Sequence, residues 1–208
     1  LKALEKLSIV RRIVVDTYQS VSGTGFPAMA ELRAQSIQVL NNGIPVKPSV
    51  YPHRIAFNAL PHIEPFRDNA YTNEEMKLVE ETRKILHRPD LAISATCVRI
   101  PVFVGHSEAL HIEFDEPVST CEAREALAAF PGLCVADDPS ADIYPMPTDA
   151  EGKDEVFVGR IRKDIALNNG LSIWSVGDNL RKGAATNAIQ IAEEVLARNL
   201  LLESRRRV

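Results

Sequence analysis

Three side chains in the stretch Cys97 to His106, CVRIPVFVGH, belong to residue types that handle anions and acyl groups. Arg99 stands just before an apolar run, Ile100 to Val104, and His106 follows that run after a glycine. Cys97 lies two positions before the arginine. A guanidinium is a planar fork that grips a carboxylate or phosphate with two parallel hydrogen bonds. An imidazole is the usual mover of protons near neutral pH. A thiolate is a nucleophile. The stretch therefore reads as a Cys/His nucleophile pair, an anion site, or a strand with polar ends.

Each reading has a plainer competitor. Arg99 ends a predicted strand and shares a face with Cys97, because strand side chains alternate; an ion pair inside the fold would explain it equally well. The context SATCVRI buries Cys97 and makes it packing rather than a nucleophile. In extended chain Arg99 and His106 would stand roughly 23 Å apart. They can share one small ligand only if Pro101 and Gly105 bend the chain back. Glu74 and Lys77, one helical turn apart, form an ordinary ion pair on spacing alone. QSVSGTG (19–25) resembles a phosphate-cradling turn without the lysine and spacing of a nucleotide-binding loop.

Positioning these groups falls to a mixture of strands and helices. RRIVVDTY (11–18) is β-branched and reads as a strand, followed by the small-residue turn and a helix over about 28–38. Residues 39–71 carry five prolines and little periodicity, which marks an interface or a site wall. TNEEMKLVEETRKIL is a helix with a Thr72/Glu75 capping box and a buried stripe of Met76, Val79 and Leu86. Strands follow at 91–99 and about 108–114, then a short helix capped by Ser119 and Glu122. EVFVGRIR and LSIWSVG add two strands, and a long helix capped by Asp178 or Asn179 ends the pattern. The irregular order predicts an α+β fold with a mixed, largely antiparallel sheet. Leu1, Leu4 and Leu7 have the spacing of a helix whose earlier turns lie upstream.

Composition narrows the classes. A net charge of −4 gives no electrostatic reason to expect nucleic acid. Cys97, Cys121 and Cys134 have neither CxxC spacing nor an even count, so a disulfide framework and a zinc site are both unsupported, and reduced thiols in a cytoplasmic compartment are the expectation. No metal site and no membrane span is expected.

The segments VVDTYQSVSGTG, NEEMKLVEETRKI, ATCVRIPVFVGHSEAL, FVGRIR and DNLRKGAATNAIQIAE, in this order, resemble the C-terminal half of aspartate-semialdehyde dehydrogenase over about residues 11–195. The resemblance implies NADPH-dependent reduction of aspartyl phosphate to L-aspartate 4-semialdehyde through a cysteine thioester, in lysine, threonine, methionine and isoleucine biosynthesis. It implies that His106 is the acid/base and that Gln19 orients the substrate. By the same resemblance Arg99 binds the α-carboxylate, Glu74 the ammonium and Lys77 the phosphate. Ser22, Gly23 and Asn179 then match the nicotinamide end of an NADP site. The implied fold is similar to the C-terminal domain of glyceraldehyde-3-phosphate dehydrogenase, with residues 1–208 as one catalytic and dimerisation domain.

One departure matters. The family's nucleophile sits in an NCxT-type motif that these residues lack, and the nucleotide-binding domain is not among them. The chain alone is therefore expected to be inactive. The implied assembly is a homodimer, or a tetramer built from it, through segment 39–71 and the sheet face bearing Arg160 and Arg162. Two alternatives remain at this point: a non-catalytic dimerisation module, and a related acyl-phosphate reductase such as N-acetylglutamyl-phosphate reductase.

Overall fold

A computed structural model describes residues 1–42 and 47–200. Six strands form one sheet in the order β2-β1-β3-β6-β5-β4. They are β1 (Val10–Gln19), β2 (Ala92–Arg99), β3 (His106–Phe114), β4 (Leu133–Val135), β5 (Val156–Lys163) and β6 (Gly170–Gly177). The β1/β2 and β4/β5 pairs are parallel and the other three antiparallel, so the sheet is mixed and largely antiparallel, as the sequence pattern predicts.

The helices are α1 (Phe26–Asn42), α2 (Asn73–Leu86), α3 (Thr120–Ala128), α4 (Pro147–Ala150) and α5 (Thr186–Ala197). Alternation along the strands puts Ile13, Val15, Ala95, Ile112, Leu171 and Ile173 on one face, where Val79 and Leu86 of α2 and Leu127 of α3 cover them. A fully buried side chain of this size contributes about 1.5–3 kcal/mol, so this layer carries much of the stability. The opposite face carries Val14, Asp16, Tyr18, Ala109, His111 and Trp174, with the Tyr18 and Trp174 rings in tilted contact at 5.4 Å. Arg160 and Arg162 are exposed beside it and, with Tyr144 and Pro145, border a hollow of about 440 Å³.

The chain order explains why distant residues meet. β1 runs parallel to β2 and antiparallel to β3, so the end of β1, the end of β2 and the start of β3 share one edge of the sheet. The end of β6 joins them, through the pair His106 and Gly177. α2 runs back toward β2, which returns its N-terminus to the same edge.

Several expectations shift in detail. Leu4–Lys6 is a single 3-10 turn; Leu4 is buried and Leu7 exposed. Helix α1 is longer than the 28–38 read from sequence, and Met76 is only half-buried. The Thr72/Glu75 and Ser119/Glu122 capping boxes both form. Arg181–Ala185 is π-helical before α5 begins, and the Asp178 carboxylate accepts from the amides of Leu180 and Arg181. That leaves Asn179 free for other work. The described closing helix α5 ends at Ala197; Pro45, and Leu201, to which the sequence pattern extends that helix, lie outside the described residues.

Candidate active site

Alternation aims the site. Gln19, Arg99 and His106 are the terminal residues of the core-facing side of β1, β2 and β3, one step beyond the row that contains Thr17, Cys97 and Glu108. The same pattern that buries Val15 and Ala95 therefore delivers three polar side chains to the rim.

The bend required by the spacing is present. The Ile100 amide donates to Gln19 O at 2.9 Å, and Val21 and Ser22 donate to the carbonyls of Val102 and Phe103 at 2.8 and 3.1 Å. Residues 100–105 thus cross over the end of β1. Gly105 has φ +93°, and a Cβ there would stand 3.0 Å from Pro147 Cβ. The backbone and the space both demand glycine. The QSVSGTG turn is a 3-10 helix, Val21–Thr24, whose amides are spent on these contacts and on its own carbonyls. It is a strut for the site and not a phosphate cradle.

Ser20, fully buried, ties the two central groups together. Its carbonyl accepts from Arg99 Nη1 at 2.7 Å. Its amide donates to His106 Nδ1 at 3.1 Å, and its hydroxyl lies 3.0 Å from the same nitrogen. Because Nδ1 accepts the amide proton, the neutral ring carries its own proton on Nε2. Burial, and then the charge of Arg99, press the His106 pKa down from 6.5 to about 4. Gly23 closes the gap: a Cβ there would lie 3.0 Å from Arg99 Nη1 and 3.3 Å from His106 Nε2.

Arg99 is 5% exposed, and among the described residues no carboxylate comes within ion-pair distance of it. The plain ion-pair reading is thereby set aside. Burial lowers its pKa, and its Nε has no partner among the described residues. Its backbone is held by reciprocal bonds with Leu60 at 2.8 and 2.9 Å, so segment 47–71 forms a wall of the site.

Glu74 is more than half of a surface ion pair. It accepts from Lys77 Nζ at 3.0 Å, but its other oxygen accepts from Gln19 Nε2 at 3.0 Å. Burial pushes its pKa up, and the hydrogen bonds from Gln19 and Lys77 outweigh that and hold it below the usual carboxylate range. The hydrogen bond to Glu74 raises the pKa of Lys77, which also lies 3.7 Å from Glu64. Glu75 fixes this helix start: one oxygen closes the capping box on Thr72 N at 2.7 Å and the other accepts from Cys97 N at 3.0 Å.

Asn179 Oδ1 accepts from Ser20 Oγ, Ser22 Oγ and Gly105 N at 3.0–3.1 Å, and its Nδ2 donates to Ser22 Oγ at 2.9 Å. All eight residues singled out in the sequence thus meet at one rim. Cys97 is fully buried, and burial lifts its thiol to about 11, so it is packing. Cys121 and Cys134 sit away on α3 and β4. No group of side chains suited to a metal ion occurs among the described residues. Sequence reasoning missed Ser20, and it found Glu75 only as a capping residue, without its bond to Cys97 N. Ser20 could have been found as the first residue after a strand whose core face ends in Gln19.

Known proteins match this architecture. The model of the family "Semialdehyde dehydrogenase, dimerisation domain" matches residues 1–182. Aspartate-semialdehyde dehydrogenase of Aquifex aeolicus is 51% identical over 201 residues, covering 97% of this chain and 59% of that protein. The Bacillus subtilis enzyme is 48% identical over 208 residues, covering 97% of this chain and 60% of its own length. The crystal structure of aspartate semialdehyde dehydrogenase II from Vibrio cholerae complexed with ASA superposes with a TM-score of 0.90 at 45% identity, over 95% of this chain and 58% of that one. The chain thus spans about three-fifths of the length of these relatives, and it belongs to the semialdehyde dehydrogenase dimerisation-domain family.

Proposed function

We propose that these 208 residues are the catalytic and dimerisation part of a longer, two-domain aspartate-semialdehyde dehydrogenase. Its complete form reduces aspartyl phosphate to L-aspartate 4-semialdehyde with NADPH and releases phosphate, in amino-acid biosynthesis. One observation carries the reading: a buried arginine with no carboxylate partner among the described residues shares a rim with a neutral histidine and a carboxylate that faces inward. A free amino acid offers a carboxylate for Arg99 and an ammonium for Glu74, which favours aspartate over an N-acylated substrate. The Vibrio relative complexed with ASA is consistent with that choice.

The residues then take these roles. Arg99 holds the α-carboxylate through donors that Ser20 leaves over. Glu74 takes the ammonium, with Gln19 holding its other oxygen and orienting the substrate. Lys77, half-exposed, meets the phosphate. A cysteine from outside these residues attacks the acyl phosphate, phosphate leaves, and a thioester results. His106 presents Nε2–H to the oxygen that gains charge, and later to the oxygen that must carry the proton.

Asn179 keeps one amide N–H after serving Ser22, and a cleft of about 320 Å³ opens beside it, His106 and Lys182. That donor and that space fit a flat ring bearing a carboxamide. Asn179, Ser22 and Gly23 would hold the nicotinamide end of NADP, which when bound supplies the hydride. The uncovered sheet face with Tyr18, Trp174, Arg160 and Arg162, together with segment 39–71, would form the two-fold contact.

The test is steady-state kinetics of the complete enzyme. Arg99→Lys should raise KM by about ten- to hundredfold with kcat changed far less, through loss of the fork. His106→Asn should lower kcat by about 10²–10⁴-fold. The 208-residue chain should show no turnover. Turnover by that chain, or full kcat in His106→Asn, would refute the proposal.

A further inference from the structure

Arg99 is a cation and His106 a group that becomes one on protonation, set side by side, and among the described residues no carboxylate forms an ion pair with either. Ser20 fixes the spacing by holding Arg99 with its carbonyl and His106 with its amide and hydroxyl. The gap is the width of Gly23, whose added Cβ would touch Arg99 Nη1 and His106 Nε2 at 3.0 and 3.3 Å. The two nitrogens are therefore no more than about 6 Å apart, within the range where one charge alters a neighbour's proton affinity.

The other charged groups around His106 leave this repulsion in place. Glu74, from α2, is engaged with Gln19 and Lys77. Asp178, from the turn after β6, spends its oxygens on the amides of Gly152, Leu180 and Arg181. Glu108, in the same strand as His106, has its carboxyl pushed up by burial toward the neutral acid, and it lines the adjoining cleft together with Lys182. Among the described residues Arg99 is thus the cation set against the imidazole, and its effect outweighs those of Glu74 and Asp178, which oppose it.

We propose that an anion seated on Arg99 and a second proton on His106, taken up at Nδ1 where Ser20 Oγ lies 3.0 Å away to accept it, stabilise each other, so that a carboxylate ligand, on binding, equips the histidine to act as an imidazolium acid. The coupling is reciprocal: acidification that protonates His106 tightens anion binding by the same factor. It rests on the proposed function only for the identity of the ligand. In that reading the substrate's own carboxylate prepares its proton donor, and the empty site keeps the ring neutral.

The test needs no turnover and uses the 208-residue chain. The protonation midpoint of His106 is followed by two-bond ¹⁵N–¹H imidazole spectra, assigned with His106→Gln. It is read with and without saturating methanesulfonate, an oxyanion that stays charged throughout. Arg99→Gln should raise the midpoint by about one unit or more. Methanesulfonate should raise it in the parent and leave Arg99→Gln unmoved. Arg99→Lys, which keeps the charge, should keep the low midpoint and so separates charge from packing. An unchanged midpoint in a folded Arg99→Gln overturns the proposal. So does a parent midpoint that stays put at methanesulfonate concentrations up to those at which Arg99 resonances cease to change. Either result would leave the kinetic reading of the complete enzyme standing, because neither measures substrate or turnover.

Discussion

Gly23→Ala isolates the geometry of the site in one methyl group. Gly23 lies outside the left-handed backbone range, so alanine can adopt its conformation and the cost is steric. The new Cβ would sit 3.0 Å from Arg99 Nη1 and 3.3 Å from His106 Nε2, inside the ordinary contact distance of about 3.5 Å. Each group would have to retreat by a few tenths of an ångström. Neither is free to do so, because Ser20 holds Nη1 at 2.7 Å and Nδ1 at 3.1 Å. Overpacking of this size costs about 1–3 kcal/mol of stability. The functional cost should be larger in proportion, since the methyl covers Nε2 and moves both groups: about a hundredfold in kcat/KM. Urea denaturation of the 208-residue chain reads the first number and steady-state kinetics of the complete enzyme the second. A folded variant whose kcat/KM stays within about threefold of the parent would refute the argument that Arg99 and His106 act across Gly23.

Three other outcomes follow from the same structure. Glu75→Ala removes the charged acceptor of two buried amides, Thr72 N and Cys97 N, and should cost about 3–5 kcal/mol by denaturant unfolding, with Glu75→Gln recovering about half. Cys97→Ser should leave kcat of the complete enzyme within a few-fold and lower the melting temperature, because a buried thiol is replaced by a hydroxyl that needs a partner; loss of turnover in a folded variant would contradict this. Between pH 6.5 and about 4 the unfolded chain binds a proton at His106 that the folded chain refuses, so stability should fall by about 3 kcal/mol as pH drops through that window. His106→Gln should flatten that part of the stability profile, which urea titrations at a series of pH values would read.

Strand positions were legible because burial is written as alternation: Ile13, Val15 and Thr17 face one way and Val14, Asp16 and Tyr18 the other. The α2 start was equally plain, since Thr72 and Glu75 spell a capping box. Residue type and spacing marked Arg99, His106, Glu74 and Lys77 as candidates and resemblance supplied the roles of all eight; Gln19, Arg99 and His106 stand at strand ends and Glu74 in the first turn of α2. What local sequence could not disclose was that β1 lies between β2 and β3, which is a property of pairing over long separations. Without that order, Arg99 and His106 look too far apart to cooperate. Ser20 was invisible for a related reason: the groups that hold Arg99 and His106 include its carbonyl and amide, and backbone groups are the same in every residue. The outer oxygen of Glu75 was hidden too, because the capping box accounts for the glutamate before Cys97 N is considered.

The passage from Arg99 to His106 spans the end of β1 and reverses direction, and it re-enters the sheet with strict alternation. Its length therefore works as a reading frame. One residue more or less between Ile100 and Gly105 would rotate β3 by one position, unless absorbed before the strand begins. Ser107 would then face the rim, His106 would face the open side of the sheet, and Ile112 would leave the core for the surface. Such a change would disarm the histidine and strip the hydrophobic layer together. Length variation should thus be excluded from these six residues even where their identities are free to drift.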